Sequence, residues 1–258
     1  MSHPASGSQQ LPDIPATVGS IRKNISSVQS RIDKACKRAG RDPADVRLLP
    51  VTKTVEPPRL RTAYEAGLRT FGENVVQEAR RKAGTMEDLD IEWCMIGHLQ
   101  TNKVKHVARF ASEFQALDSL RVASALDRRL QAEGRSLDVF IQINSSGEIS
   151  KYGIAPDAAL PLARELAAFT SLRVQGLMTL AVFSGNERHV RNCFKRMRDL
   201  RERLRQDAPS GLSFDELSMG MSNDFELAIE EGATVVRVGQ ALFGQRPLPD
   251  SHYWPQTT

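Results

Sequence analysis

Val18, Ile21, Ile25, Val28 and Ile32 recur at alternating steps of three and four residues. That spacing lays one apolar stripe along a helix. Thr17 stands where a cap would start it, and Gly40 where a left-handed residue would end it. Beyond Gly40 the pattern changes period again and again. "VRLLPVT" reads as a strand, and "PPRLRTAYEAG" as a helix with prolines at its start and Gly67 at its end. The short strand "RTFG" precedes the helix "NVVQEARRKAG". The strand "EWCMIG" precedes the helix "TNKVKHVARF". The strand "FQALD" precedes a helix capped by Ser119 and stopped by Gly134. "LDVFIQIN" is the strongest strand signal in the chain. It is followed by the helix "PDAALPLARELAAF" and the strand "LRVQGLM". A helix from near Glu187 carries Val190, Phe194, Met197, Leu200 and Leu204 on one face. "FDELS", "NDFELAIEEG" and "TVVRVG" close the series as strand, helix and strand.

About eight strands, most followed by a helix, predict a parallel sheet. Eight such units in roughly 250 residues match a single (β/α)8 TIM barrel, here with an extra N-terminal helix. A doubly wound open sheet is the alternative. It would usually show a glycine-rich loop after its first strand, and this chain has "TKTVEPP" there. The expected organisation is a loose segment over residues 1–15, a barrel over 16–250 and a tail over 251–258.

Composition narrows the function. Charged residues are 26% and apolar residues 40% of 258, ordinary for a globular chain. The net charge is +4 with only 6% aromatic residues, so no nucleic-acid partner is expected. The arginines of the helix near 187–206 read as a solvated surface. A nucleic-acid or protein-binding module built on that helix is the reading from a different functional class. Cys36, Cys94 and Cys193 are too far apart for a CxxC or zinc pattern. They predict no metal and a reducing, cytoplasmic setting. No segment reads as a signal peptide or membrane span, so no membrane partner is expected.

Barrel enzymes and binders place their sites at the carboxyl ends of the strands. Those ends carry Lys53, Glu73 and Asn74, His98 and Gln100, Asn144 and Lys151, Met178 and Thr179, the "SMGMSND" loop, and "RVGQ". Lys53 poses a question, because an ammonium entering a core needs a partner or must lose its charge. Glu73 is the plainest partner for it. His98 has a plain role hydrogen-bonding a loop, and Asn74 and Asn144 have one as helix caps. Gly220 and Ser222 stand before a helix expected near Asn223, and Gly239 follows the last strand. Together they suggest a phosphate cradle at the seventh and eighth strand ends. A lysine facing a phosphate cradle, with Arg237 between them, suits pyridoxal 5′-phosphate, whose aldehyde condenses with an amine.

The segments "VTKT", "FGENVVQEA", "MIGHLQTNKVK", "QINSSGEISKYGI", "GLMTL" and "LSMGMSNDFELAIEEGATVVRVGQALFG" also resemble a known family. It is the pyridoxal phosphate homeostasis proteins, alanine-racemase-like barrels of the YggS/PROSC type. The resemblance covers residues 46–244. It implies a barrel that holds pyridoxal phosphate as an imine on Lys53. It implies phosphate contacts from Ser222 and from the backbone around Gly239, with Gln240 beside them. It sets Arg237 near the pyridine nitrogen and Asn74 near the ring. The sequence departs from the family pattern at Val55, where a second lysine is common, and at Gln240, where threonine is common. It also has Asn223 and Asp224 where the family has an aspartate pair.

The function expected from all this is intracellular vitamin B6 homeostasis without turnover. The protein would be a monomer, with PLP-dependent apo-enzymes as recipients of the cofactor and no catalytic residues of its own. The alternative is a PLP-dependent amino-acid racemase. Alanine racemases draw a second base from an added C-terminal domain and a partner chain. This chain runs only about a dozen residues past Gly244, so that domain is not expected. Only Tyr152 among the tyrosines lies near the mouth. A pyridine nitrogen facing Arg237 would stay unprotonated, because arginine does not give up its proton. That weakens the ring as an electron sink.

Overall fold

The computed structural model describes residues 17–182 and 184–244. The expectations for 1–15 and 251–258 lie outside the described residues.

Helix α1 (Val18–Ala39) starts and stops as its stripe predicts. Thr17 caps it through a reciprocal pair of bonds with Ser20, and Gly40 ends it at φ 65°. Ile21, Val28 and Ile32 are buried along it, each worth about 1.5–3 kcal/mol of apolar transfer at most. The barrel then alternates strand and helix. β1 (Arg47–Pro50), α2 (Pro57–Glu65), β2 (Thr70–Glu73) and α3 (Val76–Thr85) form its first two strand–helix units. β3 (Glu92–Met95), α4 (Val104–Phe110), β4 (Ala111–Leu117), α5 (Leu120–Ala132) and β5 (Leu137–Gln142) follow. α6 (Ala159–Leu166), β6 (Leu172–Met178), α7 (Glu187–Asp207), β7 (Glu216–Ser218), α8 (Phe225–Glu230), β8 (Val235–Val238) and α9 (Gln240–Phe243) complete it.

All strand pairs are parallel, and the sheet order runs β1-β8-β7-β6-β5-β4-β3-β2. A parallel bridge between Val51 and Gly72 joins the two ends. The Thr52 N–H reinforces it by donating to the Gly72 carbonyl at 2.9 Å. The ring of strands therefore closes, and the doubly wound alternative is excluded.

Two local expectations are corrected, and one short helix is new. β4 begins at Ala111 rather than Phe114, because Glu113 points a charge inward that apolar patterning cannot recognise. α8 begins at Phe225 rather than near Asn223, and Asp224 occupies the cap position. The four-residue helix α9 is too short to leave a periodic signal.

α1 lies over the β8 side of the barrel. Asn24 Nδ2 donates to the Leu242 carbonyl at 2.9 Å. Arg31 pairs with Glu226 at 2.6 Å and stacks over the Phe225 ring at 4.4 Å. Arg41 Nη1 donates to the carbonyls of Ile229 and Ala233 at 2.8 and 2.7 Å. α7 presents arginines to α8: Arg191 reaches Glu230 and Glu231, and Arg198 reaches Glu231. Part of the basic face thus joins two helices instead of standing in solvent.

Candidate functional site at the carboxyl ends of the strands

β8 brings Arg237 into the barrel next to β1, with Leu49 opposite Arg237 and Pro50 opposite Val238. Arg237 is buried. Its Nη1 donates to Ser218 Oγ at 2.6 Å and its Nη2 to the Thr179 carbonyl at 2.7 Å. Burial lowers its pKa to about 10, opposed mainly by the charge of Asp224. At pH 7 it stays a cation, and a guanidinium offers donors only.

The Arg237 backbone continues the cradle. Its N–H donates to the Gly220 carbonyl at 3.0 Å. Gly220 has φ 92°, and a Cβ there would lie 2.6 Å from Ala228 Cβ. Glycine is therefore required where the loop after β7 turns towards α8. Two residues on, Ser222 Oγ accepts from the Gly239 N–H at 3.3 Å. Gly239 is buried and caps α9, and Gln240 is that helix's first residue, half-buried. Asp224 does not cap α8 through its side chain; its Oδ1 instead accepts from the Met221 N–H at 2.6 Å.

Lys53 lies three residues past β1 and is half-buried. Asn74 follows β2, the strand bridged to β1 at Val51–Gly72. Lys53, Asn74, Arg237 and the Ser222–Gly239 contact thus belong to the ends or next loops of four neighbouring strands, β7, β8, β1 and β2. Asn74 caps no helix, since Val75 holds the cap position of α3. Its Oδ1 is buried and has no hydrogen-bond partner, an acceptor left over for a polar ligand. Its carbonyl is approached so closely by Gly97 that a Cβ at residue 97 would lie 2.0 Å from it. Val55 is a partly buried hydrophobe packed on the core.

Glu73 pairs with Lys82 at 2.7 Å, a correction to the expected pairing with Lys53. Both side chains are fully buried. Burial pushes the Glu73 carboxyl up to about 7, against the pull of Lys82 and Thr52. Lys82 was legible in principle, because it falls on the Val76–Ala79 buried stripe of α3, where an unpartnered lysine would not sit.

On the far side of the mouth, His98 Nδ1 meets Asp118 Oδ2 at 3.2 Å, and its ring stacks on Tyr152 at 4.2 Å. Asn144 organises the loop after β5: its Oδ1 accepts from Ser146 and the Gly147 N–H, and its Nδ2 donates to the Glu148 carbonyl. It is a loop clasp rather than a helix cap. Lys151 Nζ binds the Ala181 carbonyl at 2.8 Å and Glu148 at 2.5 Å.

Below Arg237 a polar chain runs down the barrel interior that no sequence pattern announced. Ser218 Oγ donates to Gln115 Oε1 at 2.6 Å, Gln115 Nε2 donates to Glu113 Oε1 at 2.6 Å, and Arg47 Nη2 donates to Glu113 Oε2 at 2.7 Å. Cys94 Sγ also donates to Glu113, at 2.9 Å. Four of the residues, Cys94, Gln115, Ser218 and Arg237, are buried. Among the described residues, no group of three or more histidine, cysteine, aspartate or glutamate side chains is placed to hold a metal. No helix there is long and apolar enough to cross a membrane.

The profile of the family described as alanine racemase, N-terminal domain, matches residues 20–247. The pyridoxal phosphate homeostasis protein of Aquifex aeolicus is 41% identical over 224 residues, which span 87% of this chain and 97% of that one. Its namesake from Pseudomonas aeruginosa is 42% identical over 229 residues, spanning 89% and 97%. The structure of PipY from Synechococcus elongatus with PLP bound superposes with a TM-score of 0.77 at 34% identity, covering 87% of this chain and 100% of PipY. With a closed parallel barrel and these relatives over nearly its whole described length, the chain belongs to the pyridoxal phosphate homeostasis proteins of the alanine racemase N-terminal domain family.

Proposed function

We propose that this protein binds pyridoxal 5′-phosphate at the carboxyl-end mouth of the barrel and carries it on Lys53. In this reading it serves intracellular vitamin B6 homeostasis without turnover of its own. The observation that carries the reading is the convergence at β7, β8, β1 and β2 of four features. These are a half-buried lysine, a buried guanidinium, a hydroxyl beside a backbone N–H, and the unpartnered Asn74 Oδ1. The donor set fits the cofactor: Ser222 and the Gly239 N–H suit a phosphate, and Arg237 suits an acceptor nitrogen. When bound, pyridoxal phosphate supplies an aldehyde that forms an imine with a lysine amine.

The chain's own residues do the rest. Arg237 stays charged at neutral pH and donates without releasing a proton. Gly220 gives the loop room to approach the last strand. Gln240 opens α9 next to Gly239, so the cradle relies on backbone donors and Ser222 where the family commonly adds a threonine hydroxyl. On the other side of the mouth, His98 meets Asp118 through Nδ1 and stacks on Tyr152, so the turnover test below decides on the racemase reading. The three buried thiols, all unbridged, suit a cytoplasmic, reducing setting. The partner class is PLP-dependent apo-enzymes, and the working state is a monomer, which light scattering checks.

The test pairs binding with turnover. Titrating cofactor-free protein with pyridoxal phosphate should give a saturable visible chromophore. Chiral chromatography after long incubation with L-alanine should show no D-alanine above a cofactor-only control. Protein-dependent D-alanine that vanishes in Lys53→Ala would replace the homeostasis reading with a racemase.

A further inference from the structure

Lys82 is fully buried on α3, outside the mouth. An ammonium withdrawn from water needs close acceptors. It has three: the Thr52 carbonyl at 2.8 Å, Glu73 Oε1 at 2.7 Å and Glu78 Oε1 at 2.6 Å. Both carboxylates reach onward to the same turn. Glu73 Oε1 accepts from Thr52 Oγ1 at 2.5 Å, and Glu78 Oε1 accepts from the Thr54 N–H at 2.8 Å. The two neighbours of Lys53 are thereby tied, on both sides, to one cluster centred on Lys82.

The turn so held is strained. Thr54 is the sole non-glycine residue among those described with positive φ, at 67°. A β-branched side chain disfavours that region, and such strain persists only where the surroundings over-determine it. Here the surroundings are the Glu78 acceptor on one flank and the Thr52 bonds on the other. A buried ion pair is weak evidence for stability, because apolar packing of similar volume often does as well. What this cluster does that apolar packing could not is fix the direction of a backbone N–H and a carbonyl on either side of Lys53.

We propose that Lys82, Glu78 and Glu73 are positioning residues that clamp Thr52 and Thr54 and so present Lys53 to the barrel mouth. The inference rests on the reading of Lys53 as the attachment residue. The cluster itself lies behind the turn, and none of its members is assigned a contact with the cofactor. Charge balance agrees with a clamp of this make-up. Two carboxylates share one ammonium, and the more deeply buried one, Glu73, is the one pushed towards its neutral form.

The test uses the whole chain and two readouts. The first is amide hydrogen exchange at Thr54 in cofactor-free protein. The second is the rate at which pyridoxal phosphate is fixed to residue 53 by borohydride. Glu78→Gln keeps an acceptor oxygen and should resemble wild type in both. Glu78→Leu removes the acceptor. It should speed Thr54 exchange and slow residue-53 labelling on the order of ten-fold, the population a left-handed β-branched residue forfeits. Adding Thr54→Gly to Glu78→Leu should recover most of the labelling, because glycine holds a positive φ without help. Thr54→Pro leaves Lys82 paired with Glu73 and Glu78, so it does not depend on Glu78→Leu folding. Proline donates no N–H and cannot take positive φ, and the variant should show the same loss of labelling. Wild-type labelling rates in Thr54→Pro, or no recovery in the folded double variant, would overturn the clamp. Failure of the wild type itself to label at residue 53 would instead remove the underlying reading. Thr54 exchange would still decide whether the clamp holds.

Discussion

Arg237 donates to Ser218 Oγ at 2.6 Å, and the same hydroxyl donates onward to Gln115. One serine thus connects a buried cation near the mouth with the Glu113–Arg47 pair lower in the barrel. Ser218→Ala leaves an Arg237 N–H and the Gln115 Oε1 without their partner. We expect a loss of about 1–3 kcal/mol in denaturant unfolding. A Ser218→Ala variant as stable as wild type would mean that water or repacking replaces the link.

Glu73 gives a pH signature. Its folded pKa, about 7, lies above its ordinary value of 4.5, so the folded state binds the extra proton between those values. Stability should therefore be highest below about 4.5 as far as this group is concerned, fall as pH rises through 7, and level off above it. The contribution is at most about 3 kcal/mol. Glu73→Gln should flatten the pH 5–7 slope of unfolding free energy relative to wild type. An unchanged slope would show that Glu73 is ionised throughout.

Gly97 has no room for a side chain, because a Cβ there would lie 2.0 Å from the Asn74 carbonyl oxygen. Gly97→Ala should cost about 1–3 kcal/mol of stability by overpacking. It should also weaken cofactor binding by shifting Asn74. Equilibrium dialysis and thermal melts together separate the two effects, and wild-type values in both would contradict the contact.

Ser222→Ala should weaken cofactor affinity by roughly 1.5–3 kcal/mol, the worth of one hydrogen bond to a charged group. Neighbouring N–H groups should retain residual binding. Unaltered affinity by fluorescence titration would place the phosphate elsewhere.

Much of this was legible in the sequence, and the limits have physical causes. Ile21, Val28 and Ile32 mark α1 because one buried face repeats every 3.6 residues, and βα alternation carried the barrel. The strand ends located Lys53, Asn74, Ser222 and Arg237 on neighbouring elements. The residues that close the ring were not legible, since Val51 meets Gly72 across the sheet's two edges. Lys82 stood out on the buried stripe of α3, but its pairing with Glu73 did not, because the register of that helix against β1 is a tertiary fact. The Arg237–Ser218–Gln115–Glu113 chain draws on three strands far apart in sequence. Short inward-facing polar residues of that kind break the apolar alternation that sequence reading relies on.

Whether Lys53 carries the cofactor is decided by borohydride reduction of the loaded protein followed by peptide mass mapping. We expect one pyridoxyl phosphate adduct, on the peptide containing Lys53, and loss of the visible chromophore in Lys53→Ala with the fold intact by circular dichroism. An adduct on Lys151, Lys103 or Lys82, or a wild-type spectrum in Lys53→Ala, would contradict it.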